Sequence, residues 1–117
     1  MVRRLLAVTA AVVLALACAS PTLPLPPPVA PELGPAPDAD HVALVATCGG
    51  AEPGTIIVIV NNSPNVPNDQ AVGGARTDGC GAWDATVYAH AGDFLDITQE
   101  LGTESSQTLV WQVPSQP

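Results

Sequence analysis

The sequence contains no lysine, and two of its three arginines, Arg3 and Arg4, stand at the N-terminus. Eleven aspartates and glutamates give a formal charge of −8 at pH 7. Without Arg3 and Arg4 the charge becomes −8 − 2 = −10, with Arg76 as the one remaining base. Such a chain cannot neutralise a phosphate backbone, so nucleic acid is excluded as a partner. Aromatic residues are equally scarce, at one Phe, one Tyr and two Trp. The only histidines, His41 and His90, have no cysteine or acidic partner at metal-ligand or triad spacing. There is no G-x-S-x-G and no phosphate-cradling glycine loop, and each serine lies in a tether, a loop or a terminus. The expectation is a protein that is not an enzyme, with no catalytic residues, no cofactor and no metal site.

What is present begins with MVRRLLAVTAAVVLALACAS. Arg3 and Arg4 precede an uncharged run, Leu5 to Ala17, which as a helix spans roughly 20 Å, short of the ~30 Å hydrocarbon core of a bilayer. It fits a secretory signal, and both Ala15-Leu16-Ala17 and Ala17-Cys18-Ala19 fit the small-x-small pattern of a plain cleavage site. Cysteine arithmetic separates the export routes. Exported proteins pair their cysteines, and Cys48 and Cys80 both fall in the later strand-rich region, so they form the natural disulfide and Cys18 is left alone. Leu14-Ala15-Leu16-Ala17-Cys18 resembles the lipobox of bacterial lipoproteins. That resemblance implies lipid attachment at Cys18, a membrane held through two or three acyl chains, and a place in the bacterial cell envelope. Ala19 in place of aspartate implies the outer membrane, the alternative being a secreted protein.

Residues 20–40, SPTLPLPPPVAPELGPAPDAD, read as a disordered proline-rich tether. Proline fixes φ and donates no hydrogen bond, so neither helix nor sheet is expected there. At about 3.1 Å per residue such a spacer would hold the folded part up to ~60 Å from the lipid.

Helical periodicity is absent from the remainder, whereas HVALVAT, TIIVIV, GAWDATVY, DFLDITQ and TLVWQV are short β-rich runs between turn residues, with QAVGGART a weaker one. The expected fold class is all-β, a small antiparallel sandwich over residues 41–114. It follows a signal peptide over 1–17 and a lipidated cysteine with tether over 18–40, and it ends in a tail over 115–117. GAWDATVY-AHAG-DFLDITQ reads as a hairpin, with Trp83 and Trp111 inward and facing each other across the core. TIIVIV breaks the alternation, as a strand buried on both faces or one awaiting a partner.

AEPGTIIVIV, ARTDGCGAWDATV, AGDFLDIT and VWQVP, in that order, resemble bacterial immunoglobulin-like domains and are close to carboxypeptidase regulatory-like sandwiches. Glu52-Pro53-Gly54 would form the first turn, and Thr77, Asp78, Gly81 and Trp83 the second motif. The resemblance implies an immunoglobulin-like binding or spacer module with a protein or glycan partner in the envelope. The alternative function is a small-ligand or calcium-binding lipoprotein using the 61–70 loop, where Asn61, Asn62, Asn65, Asn68 and Asp69 offer oxygens.

Overall fold

A computed structural model describes residues 24–115. The strands are β1 (Glu32–Leu33), β2 (His41–Ala46), β3 (Ile56–Asn61), β4 (Val72–Arg76), β5 (Trp83–Tyr88), β6 (Phe94–Leu101), β7 (Glu104–Ser105) and β8 (Leu109–Gln112). They form two antiparallel sheets. One has the order β1-β2-β5; the other has the order β4-β3-β6-β7, with β8 also pairing β6. This is the all-β sandwich expected from the strand runs. Leu44 from the first sheet and Ile57, Ile59, Leu95 and Ile97 from the second are buried to 1 % exposure or less. Nearly all of the core is aliphatic, as the shortage of aromatics requires.

Period-two alternation explains the layers. β5 alternates Trp83, Ala85 and Val87 inward with Asp84 and Thr86 outward, and β6 buries Leu95, Ile97 and Gln99. β3 alternates too, although its sequence does not show it. Ile57, Ile59 and Asn61 point into the core, while Ile56, Val58 and Val60 lie on the outer face. TIIVIV is therefore a central strand between β4 and β6, buried on one face only.

The expected β5–β6 hairpin does not form. β5 pairs with β2 and β6 with β3, so the Ala89–Asp93 connection crosses from one sheet to the other. Alternation marks which residues face inward but not which strand is the neighbour, and local hydrogen bonds decide that here. The Asp93 carboxylate accepts the His90 N–H (2.9 Å) and the Asn61 side-chain amide (3.1 Å), and the Gly92 N–H donates to the Val113 carbonyl. Gly92 has φ +91°, a conformation that glycine adopts without steric cost.

The two indoles also differ from expectation. They belong to opposite sheets, but Trp83 pairs Ala46 at one end of the sandwich. Trp111 pairs Leu95, which is level with Asn61, and the Asn61 amide reaches the Tyr88 carbonyl at the other end of β5. Trp83 is buried, and Trp111 is half-buried against the core edge. They do not face each other.

Part of the proline-rich segment is built into the fold. The Pro26 carbonyl accepts Gln99 Nε2 (2.6 Å), the Val29 N–H donates to the Gly50 carbonyl (2.8 Å), β1 extends the first sheet, and the Gly34 N–H donates to the Ala43 carbonyl. Pro28 and Pro31 are buried. Proline is tolerated beside a sheet edge, where its missing N–H leaves no ladder bond unmade, and Glu32 and Leu33 supply the pairing that the prolines cannot. Residues 26–34 form a strap along the sandwich, where the sequence led us to expect a disordered tether.

Candidate functional site

Three regions carry the residues singled out by the sequence. The first is the disulfide end. Cys48 follows β2 and Cys80 lies between β4 and β5, and the two are bonded with Cα atoms 4.9 Å apart. Both cysteines sit in connections that cross between the sheets, so the bridge ties one crossover to the other. The backbones meet there as well, with Gly49 N–H to Cys80 carbonyl (2.8 Å) and Ala51 N–H to Gly81 carbonyl (3.1 Å). Gly81 has φ +82°, and a Cβ at that position would run into the Ala51 carbonyl oxygen. The Asp78 carboxylate caps this turn by accepting the N–H groups of Cys80 (2.9 Å) and Ala82 (3.0 Å).

Thr55 and Thr77 are buried at the same end. Thr77 Oγ1 accepts the Thr55 N–H (2.8 Å) and donates to the Glu52 carbonyl (3.0 Å). The Glu52-Pro53-Gly54 turn and the Thr77, Asp78, Gly81, Trp83 motif are thus brought together as one hydrogen-bonded corner. A disulfide of this kind places the chain outside the reducing cytoplasm. Among the described residues no helix is long and apolar enough to cross a membrane. Cys18 lies outside the described residues.

The second region is the loop between β3 and β4. Asn61 is buried and fully engaged: its amide donates to the Tyr88 carbonyl (2.9 Å) and to Asp93, and its oxygen accepts the Ser63 N–H (3.0 Å). Asn62 donates to Asp96 (2.7 Å). These oxygens and amides pin the loop to β5 and β6, leaving Asn65, Asn68 and Asp69 exposed. Among the described residues no three His, Cys, Asp or Glu side chains gather as a metal would need. Burial works to raise the Asp93 pKa, but hydrogen bonds from the His90 N–H, Asn61 and Ser63 outweigh it and hold the carboxyl below its usual range.

The third region escaped sequence reasoning. The two histidines lacked acidic partners at any recognised spacing, yet each has one in space. His41 Nδ1 meets Asp38 Oδ1 at 2.8 Å, its Nε2 meets Gln70 Oε1 at 3.1 Å, and His90 Nε2 meets Asp40 Oδ1 at 3.1 Å. Tyr88, paired with His41 across β2 and β5, stands between the two imidazoles with edge-on contacts of 5.5 and 5.3 Å. The Asp38 hydrogen bond raises the His41 pKa, and the same bond lowers that of Asp38. The two pairs, with Gln70 and Tyr88, form a polar patch at the surface. The signal was local: two aspartates stand within three residues before His41, at the mouth of a strand.

Between these ends, the outer face of the larger sheet carries several exposed apolar side chains among polar ones. Val72, Val60 and Val110 lie in one cross-strand row interrupted by Asp96, with Phe94 beside it and Ile56 farther along β3. Val72, Phe94 and Val110 are each more than half exposed. Such a row offers exposed apolar area to another molecule on either side of the one carboxylate, Asp96.

Comparison with protein-family models, with curated proteins and with solved structures finds no match to this chain.

Proposed function

We propose that this chain is a non-catalytic lipoprotein of a bacterial cell envelope. Lipid on Cys18 anchors it, and its sandwich, of immunoglobulin-like type, serves as a binding or spacer module for an envelope protein or glycan. The observation that carries the reading is the Cys48–Cys80 bridge. With those two cysteines joined to each other, Cys18 is the odd one of three, and it stands at the end of Leu14-Ala15-Leu16-Ala17, beyond an apolar run led by two arginines. Export supplies the oxidising compartment that the bridge needs, and lipidation gives the remaining thiol a use. The half-exposed valines and Phe94 on the larger sheet support a binding role, and the surplus of acids supports solubility outside the cell.

The test is the mature N-terminus. Intact-mass and peptide mass spectrometry of protein from cell envelopes should find a chain that starts at Cys18 and carries diacylglycerol. Cys18→Ser should move the protein to the soluble fraction or leave it unprocessed. A mature chain beginning at Ser20 without lipid would refute the anchor.

A further inference from the structure

The strap determines which end of the sandwich can lie near the lipid. It enters at the disulfide end, where the Pro26 carbonyl is held by Gln99 Nε2 and the Val29 N–H by Gly50. It then runs along β2 through the pairs Glu32–Val45 and Leu33–Leu44. At the histidine end the Asp40 carbonyl accepts the Ala89 N–H, and the chain turns back into β2. Gln99 is only 1 % exposed, so the strap is held at this end by a side chain rooted in the core, through a part-buried hydrogen bond.

Between Cys18 and Pro26 there are 26 − 18 = 8 residue steps. Fully stretched they reach at most about 28 Å, and at a polyproline rise about 25 Å. The opposite end of the molecule lies farther off, since Trp83 to Tyr88 alone spans about 17 Å along β5 before the loops are added. Turning the sandwich over would take at least those ~17 Å out of that reach, whereas the upright orientation takes none of it.

Resting on the anchor at Cys18 proposed above, we propose that the disulfide end is the surface that faces the lipid headgroups at short range, around Gly49–Gly54 and Gly79–Gly81. Glu52, Asp78, Glu100 and Glu104 outnumber the one cation at that end, Arg76, so it stays net acidic and hovers over an anionic bilayer without adhering to it. The Asn62–Gln70 loop and the His41, Tyr88 and His90 patch point away from the membrane, where an envelope partner reaches them first.

The experiment uses the full lipidated chain in nanodiscs of phosphatidylethanolamine and phosphatidylglycerol, with a gadolinium chelate on a small fraction of headgroups. Amide NMR signals of Gly49, Gly50, Gly54 and Gly79 should lose intensity, while those of Asn65, Gln70 and Ala91 keep theirs. Inserting about twelve Gly/Ser residues between Leu23 and Pro24 adds a flexible spacer and should erase that difference. Equal losses at both ends, or stronger losses at Asn65 and Gln70, in a chain shown by mass to carry lipid would overturn the orientation alone. A chain without lipid that stays off the nanodisc, with no losses anywhere, would overturn the anchor and the orientation with it.

Discussion

Gln99 is the side chain by which the strap can be tested most directly. Its Oε1 accepts the Glu52 N–H (2.8 Å) and its Nε2 donates to the Pro26 carbonyl (2.6 Å), so one buried amide joins the Glu52-Pro53-Gly54 turn to the strap. Gln99→Met keeps the length and most of the volume but removes both bonds. Each is worth about 1 kcal/mol net, and the abandoned N–H and carbonyl, both only partly covered, add a desolvation cost of about 1 kcal/mol each. The more apolar side chain returns about 2 kcal/mol by burial, leaving a net loss of about 2 kcal/mol. For a domain of this size that is a large share of total stability, and with a urea m-value near 1 kcal/mol/M it lowers the midpoint by about 2 M. The unfolding assay is tryptophan fluorescence in urea. Hydrogen exchange at the Val29 amide, which donates to Gly50, reports the strap itself and should quicken more than exchange at Ile97 in the core. An unchanged midpoint together with unchanged protection at Val29 would show that the strap does not depend on Gln99, and the reasoning would fail.

Three further outcomes follow from the same geometry. Replacing both Cys48 and Cys80 with alanine opens a loop of sequence separation 32 and should cost roughly 3–4 kcal/mol by chain entropy, read as a urea midpoint; a loss under about 1 kcal/mol would mean that the crossovers hold without the bridge. The His41–Asp38 pair should make stability depend on pH at both ends of its window: the raised His41 pKa contributes fully below the unfolded value near 6.5 and is lost as pH rises through the folded value, while the lowered Asp38 pKa contributes above about 3.8 and is lost as pH falls through its folded value. His41→Asn should flatten the dependence near neutrality, and an NMR titration placing the His41 midpoint at or below 6.5 would contradict the pairing. Finally, acrylamide should quench Trp111 well before Trp83, and Trp83→Ala should cost about 3–5 kcal/mol while Trp83→Phe costs far less, because the buried Trp83 Nε1 has no acceptor among the described residues; equal quenching in the two single-tryptophan variants would place Trp83 wrongly.

The sandwich was legible because alternation survives in β5, β6 and β8, and because a thiol pair in an exported chain has few options. Pairing was not. Trp83, Ala85 and Val87 show which face is inward, but the same pattern suits a hairpin and a crossover alike, and the choice depended on Asn61 and Asp93 meeting across thirty-two residues of chain. β3 hid its alternation behind isoleucines and valines on both faces. The strap was missed because proline content speaks only for the prolines, whereas Glu32, Leu33 and the buried Gln99 side chain supply the pairing. The Asp40–His90 half of the histidine patch was out of reach for a similar reason, since those two residues are neighbours only after β2 and β5 align.

The ring closed by Cys48 and Cys80 encloses Arg76, and this governs how the molecule fares among proteases. A trypsin-like enzyme finds no lysine and, beyond Arg3 and Arg4, one arginine, on the edge strand β4, where its backbone is paired to Ile56. Should the Arg76–Thr77 bond be cut, the two pieces stay joined through sulfur, with β2 and β3 on one piece still paired to β5 and β6 on the other. A nick there produces a two-chain protein of unchanged assembly, which a gel resolves only after reduction.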